Sequence, residues 1–217
     1  MQTDMTVGKP MKMLLNFTIP VFLGNVFQQL YSMADAVIVG KFVGTKGLAA
    51  VGATGTITFL IIGFLMGVTT GVTVLTSQKF GAGRMDEMRK TVGNAAILSA
   101  VIAVVMTAVS MLGMHRLLVF MHTPEDIFDG AYGYIMIICA GIFTQVLYNL
   151  VSSILRALGN SKTPLYFLIL AAGLNIVLDL VFIIFFHWGA PGAAWATVIS
   201  QGVSGVLCLI YMWKAVP

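Results

Sequence analysis

A chain of 217 residues that is 59% apolar and only 9% charged has too few charges to clothe a water-facing surface, since ordinary soluble domains carry roughly 25% charged residues. The net charge of +4 comes with no phosphate loop or groove-reading helix, which removes nucleic acid as a partner. Nearly continuous apolar runs such as Ala95 to Val109 exclude a β-barrel, whose strands alternate apolar and polar over about ten residues.

Met1 to Met13 lacks the short apolar core and small-residue cleavage site of a secretory signal, so no cleavage is expected. Beyond it, stretches free of Asp, Glu, Lys and Arg cover 13–34, 47–78, 91–115, 130–155, 163–178 and 180–213. Each approaches or exceeds the roughly 20 residues that a helix needs to cross a bilayer. Asp179 alone interrupts the fifth, and the turn signal from His187 to Gly192 separates the last two spans. The reading is an all-α membrane protein, a single six-helix transmembrane lobe over 1–217. Its spans are 13–39, 47–77, 91–114, 130–156, 164–186 and 192–213.

Lys9, Lys12, Lys79, Arg84, Arg89, Lys90, Arg156, Lys162 and Lys214 fall on one side of this arrangement, and Lys41, Lys46 and Arg116 on the other. The positive-inside rule then puts both termini in the cytoplasm. An even number of spans also lets a following copy of the unit insert in the same orientation.

The first span carries Asn25, Gln28, Gln29, Ser32 and Asp35 within an arc of roughly 120°. Pro20 interrupts that span and removes a backbone bond, which predicts a kink or hinge. In the second span, Thr69, Thr70, Thr73, Thr76 and Ser77, with Gly63, Gly67 and Gly71, read as close-packing residues. The fourth span shows a face of Gln145, Tyr148, Asn149, Ser152 and Arg156, which lines an inner cavity or packs by hydrogen bonds. In the fifth, Asp179 follows Asn175 by one turn, and in the sixth Thr197, Ser200, Gln201 and Ser204 share a face. Cys139 and Cys208 lie inside spans without metal-type spacing and read as packing residues.

Ionisable groups inside hydrocarbon cost roughly 2.5–3.5 kcal/mol on insertion scales, so they face cavities and have roles. Asp35 and Asp179 are the two such carboxylates. At 1.5 Å per residue, Asp179 lies about 22 Å from the cytoplasmic end of its span and Asp35 about 33 Å from that of its own. Tyr134 and Thr197 fall in the same outer half. Asp35, Asn175, Asp179 and Thr197 therefore suit a hard cation or a shared proton. The alternative is that each Asp pairs with donors of a neighbouring helix. There is no Ser/His/Asp arrangement and no cluster of His or Cys, which argues against an enzyme. No filter motif points to a channel. An alternating-access carrier fits best, with no cofactor.

The chain also resembles a known family. Asp35 followed by Gly40-Lys41-Phe42-Val43-Gly44 and Leu48-Ala49-Ala50, then Ser77-Gln78 with Gly81-Ala82-Gly83-Arg84, then Leu155 to Pro164, then Asn175-Ile176-Val177-Leu178-Asp179, then Gly192 to Thr197, is similar to the multidrug and toxic compound extrusion (MATE) transporters. The resemblance implies a plasma-membrane antiporter that couples inward Na⁺ or H⁺ to export of organic, often cationic, small molecules. It implies a cation site at Asp35, Asn175, Asp179 and Thr197 and substrate-cavity residues at Tyr134 and Asn149. Gln28 and Gln145, on the polar faces above, join the cavity candidates, and Pro20 matches a first-helix proline associated with bending. Such transporters have about twelve helices in two lobes. A second six-helix lobe is thus expected, as a separate chain, a carboxy-terminal half or a parallel copy. A lipid-linked oligosaccharide flippase of the related superfamily is the alternative transporter, and a non-transporting scaffold or fragment the alternative to transport.

Overall fold

Hydrocarbon offers no hydrogen-bond partner, so the backbone inside it has to satisfy its own N–H and C=O groups. The structure, a computed structural model, describes residues 10–215, and among them this demand is met by helices alone. Residues 1–9, which hold Lys9 and most of the Met1 to Met13 segment considered above, lie outside the described residues. The helices are α1 Pro10–Phe42, α2 Thr45–Gly81, α3 Met85–Phe120, α4 Glu125–Ala140, α5 Ile142–Ala157, α6 Lys162–Leu180 and α7 Gly189–Ala215, with one π-helical turn, Val181–Phe185, prolonging α6. Among the described residues five of these are long and apolar enough to cross a membrane, or six where the bent pair α4 and α5 counts as one span.

The helices α1, α2 and α3 hold 33, 37 and 36 residues. At 1.5 Å per residue that is about 50 Å or more, against a hydrocarbon core of about 30 Å. Their ends therefore run past the apolar windows read from the sequence. Phe59, Val104 and Leu112 are among the large side chains exposed along these helices, as lipid contact requires.

The fourth span is not one straight rod, as the apolar window 130–156 suggests. It breaks at Gly141 with a bend of 46°. The Gly141 N–H still donates to the Ile137 carbonyl at 2.9 Å, but the next donors bunch on Gly141 itself, with the Thr144 N–H and hydroxyl reaching its carbonyl at 3.0 and 2.8 Å. A methyl group at Gly141 would lie 2.3 Å from Val198 Cγ2 of α7, and one at Gly205 of α7 would lie 3.2 Å from the Tyr148 backbone nitrogen of α5. Glycine on both sides lets the bent pair seat closely on α7, the packing mode expected where water does not drive association.

Gly63, Gly67 and Gly71 correct the close-packing expectation for α2, since a methyl group at any of them meets nothing within 4 Å. The hydroxyls beside them are satisfied within the helix: Thr69 donates to Leu65, Thr70 to Met66 and Thr73 to Thr69 carbonyls, at 3.1, 2.8 and 2.8 Å. Thr76 Oγ1 is buried with no partner among the described residues.

In the assembled bundle α7 packs on α4, α5 and α6, α1 lies mainly against α6, and α2 packs on α3, α4 and α5. Cys139 and Cys208 are free and buried in two separate apolar clusters. The loops alternate between the two ends, so that 43–44, 121–124 and 186–188 share one end and 82–84 and 158–161 the other. In the 158–161 turn Gly159 takes a φ of 79°, a conformation that glycine adopts without cost. Asn160 Oδ1 then accepts the Thr163 N–H at 3.1 Å and starts α6.

Candidate cation site between α1, α6 and α7

Pro164 stands in the first turn of α6, where its missing N–H costs nothing. From there the helix runs inward through apolar residues until Asn175 and Asp179, both fully buried. Ala193, Ala194 and Ala196 at the start of α7 are also fully buried. Their small side chains bring α7 close, and Asn175 Nδ2 reaches Thr197 Oγ1 at 3.5 Å. Asp35 arrives from α1 at 8% exposure. Its carboxyl neighbours that of Asp179.

No described donor satisfies this pair. Asp35 Oδ1, both oxygens of Asp179 and Asn175 Oδ1 are buried without a hydrogen-bond partner, and none of the ion pairs among the described residues involves either aspartate. Two opposed carboxylates in a low-dielectric setting repel, and each orphaned oxygen carries a desolvation cost of about 1–3 kcal/mol or more. The four oxygens fit a hard monovalent cation or a proton held between the carboxyls. Among the described residues no three His, Cys, Asp or Glu converge in the manner of a transition-metal site.

Tyr134 of α4, buried at 8% exposure, stands close to Asp35, Tyr31 and Asp179. Tyr31 is a member of the site that the sequence reading passed over. One turn before Asp35, its hydroxyl lies near Thr197 and Gln201. Its spacing of four residues from Asp35 was the available signal. The π-helical turn begins two residues after Asp179, and its extra residue per turn hands the chain to a stack of Phe182, Trp188 and Phe186, with Trp188 5.0 and 5.4 Å from the two phenyl rings. The sequence reading saw only the following turn.

The remaining candidates lie elsewhere. Pro20, Gln28 and Asn149 line a narrow cavity of about 40 Å³ with Asn25, Tyr148 and Arg156. It sits nearer the end of the bundle that holds Lys12 and Lys162, and neither aspartate lines it. α1 passes through Pro20 as one helix. Asn149 Nδ2 donates to the Gln145 backbone carbonyl at 2.9 Å, and the half-buried Gln145 side chain does not line this cavity. The structure thus brings Asp35, Asn175, Asp179, Thr197 and Tyr134 together and places Gln28 and Asn149 in a second compartment.

The MatE family model matches residues 20–181, a segment that includes both aspartates and stops short of Thr197. The chain belongs to the MatE family. It is 33% identical over 211 residues to the probable multidrug resistance protein YpnP of Bacillus subtilis, covering 97% of this chain and 47% of that one. It is 27% identical to the FAD transporter of Shewanella oneidensis, over 92% of this chain and 46% of that protein. A solved structure of a multidrug resistance MATE family transporter in its outward-facing conformation superimposes with a TM-score of 0.89 at 30% identity, covering 96% of this chain and 46% of the other. This MatE chain therefore spans about half the length of the curated relatives it matches, and it is a multi-pass membrane protein of a transporter family rather than an enzyme.

Proposed function

We propose that this MatE chain is the amino-terminal lobe of a cation-coupled exporter, in which Na⁺ or H⁺ taken up at Asp35 and Asp179 is exchanged for an organic small molecule. The observation that carries the reading is the opposed aspartate pair, buried on two different helices with no basic partner among the described residues. A pair with no donor of its own changes energy sharply when a cation binds, and that is the property a coupling site needs. Multidrug resistance proteins among the relatives support export of organic compounds. Among the described residues Arg156 is the single charged one around the inner cavity, which leaves little to hold a pyrophosphate and counts against the flippase alternative.

The same reading calls for a second six-helix lobe. Asn25, Gln29 and Ser32 are exposed along α1, and lipid tolerates such polar groups poorly. Beside them Gly63, Gly67 and Gly71 leave the surface of α2 open. A second lobe facing α1 and α2 encloses the polar stripe in an aqueous path and seats a helix on the glycines. Both termini lie in the cytoplasm in this scheme, by the distribution of Lys and Arg.

The test is binding of ²²Na⁺, or proton uptake, by purified protein and its Asp35→Asn and Asp179→Asn variants. Each substitution is expected to weaken binding at least about tenfold, equivalent to roughly 1.4 kcal/mol; unchanged binding in both variants overturns the reading. Dye efflux from vesicles holding this chain alone separates a working assembly from an inert scaffold.

A further inference from the structure

A second concavity, remote from the aspartates, opens at the end of the bundle that carries most of the Lys and Arg residues. It is a groove of about 290 Å³ where the first turns of α3 meet the last turns of α5 and α7. Ile154 and Leu158 form its buried floor, the half-buried Val92 and Met212 flank it, and Arg89 and Trp213 stand exposed at its edge. Trp213 is 85% exposed, the disposition of an aromatic residue at the boundary of hydrocarbon and headgroups.

Arg89 and Trp213 both sit at the limits of charge-free stretches, Arg89 two residues before Thr91 and Trp213 immediately before Lys214. The groove therefore straddles the level where acyl chains give way to phosphates. Among the described residues the ion pairs are Lys46 with Asp126 and Glu87 with Lys79 and Arg84, so no described carboxylate lies within 4.0 Å of the Arg89 guanidinium. Asp86, one turn earlier on α3, makes no ion pair with it, and Lys90 and Lys214 add positive charge next to the two edge residues. A guanidinium matches the oxygens of a phosphate in a fork that a lone ammonium lacks.

We propose that this groove is a binding site for an anionic phospholipid, with the phosphate on Arg89 and one acyl chain lying along Val92, Ile154, Leu158 and Met212. An apolar floor gives a free phosphate nothing to bind, whereas a lipid satisfies cation and floor at once. The site does not depend on the transport reading; on the proposed orientation it faces the cytoplasmic leaflet.

Native mass spectrometry of the purified chain, equilibrated with phosphatidylglycerol or phosphatidylcholine, tests the assignment. Phosphatidylglycerol is expected to be retained roughly fivefold better. Arg89→Ala, at an exposed position, should abolish that preference. Val92→Trp, which fills the groove and keeps the cation, should lower retention of both lipids, and Lys46→Ala at the opposite end should change neither. Glycerol phosphate, a headgroup without chains, should displace no lipid. Equal retention of the two lipids by the unaltered chain, a preference that survives Arg89→Ala, or displacement by glycerol phosphate overturns the proposal.

Discussion

Replacing Tyr31 by phenylalanine removes one hydroxyl and little volume, so it isolates what that oxygen does beside Thr197 and Gln201. If the hydroxyl orients the oxygen shell around Asp35 and Asp179, Tyr31→Phe weakens cation binding about five- to tenfold, the worth of a hydrogen bond of roughly 1–1.5 kcal/mol. The binding isotherm measures this, while the unfolding temperature should barely move; wild-type affinity in the variant would place Tyr31 outside the site. The four residues of the candidate site were legible because hydrocarbon penalises Asp35, Asn175, Asp179 and Thr197 wherever they are not partnered. Tyr31 was not, since a ring with one hydroxyl reads as apolar. Gln28 shares a face with Asp35 but lies seven residues away, about 10 Å along the helix axis, so it lines the cavity beside Pro20 and Asn149 and not the aspartate pair.

At the scale of helices, Gly141 is the position where least change should do most. A methyl group there would lie 2.3 Å from Val198 Cγ2, and overpacking of this kind costs about 1–3 kcal/mol. Gly141→Ala is expected to lower the thermal unfolding temperature in detergent, and the double variant Gly141→Ala with Val198→Ala to recover part of the loss. Equal destabilisation in the single and double variants would rule out that contact as the cause. The bend itself was invisible in the sequence, because glycine is common in membrane helices and its meaning depends on Val198, nearly sixty residues later. The turn between α2 and α3 offers a pH test outside the membrane. Hydrogen bonding from Lys79, reinforced by the Arg84 charge, holds the Glu87 carboxyl below its usual range. A folded value below the unfolded one means that the pairing contributes above about pH 4.3 and is lost as pH falls through the depressed value. Because these groups are exposed, Glu87→Gln should change unfolding temperature only slightly and should remove the acid-side part of its pH dependence.

For the molecule as a whole, the mass of the chain in detergent decides what the second lobe is. A dimer whose population falls at least about fivefold, roughly 1 kcal/mol, on Gly67→Leu supports a parallel copy docked on the open face of α2; a monomer leaves that lobe to a separate chain or to a carboxy-terminal half. Six apolar windows, the turns between them and the uneven placement of Lys and Arg were all readable, since the bilayer acts on each segment separately. The open surface of α2 was not, because Gly63, Gly67 and Gly71 look the same whether or not a helix already covers them. The orphaned oxygens around Asp179 have one more consequence. An ion that binds the folded lobe and not the unfolded chain stabilises it, by about 2.7 kcal/mol at a hundred times its dissociation constant. If sodium is that ion, the melting temperature should climb with NaCl and not with matched choline chloride, and should stop climbing in Asp179→Asn. If the proton is, pH should move it and sodium should not. The coupling ion then acts as a structural component of the lobe, and a melting curve names it without any transport being measured.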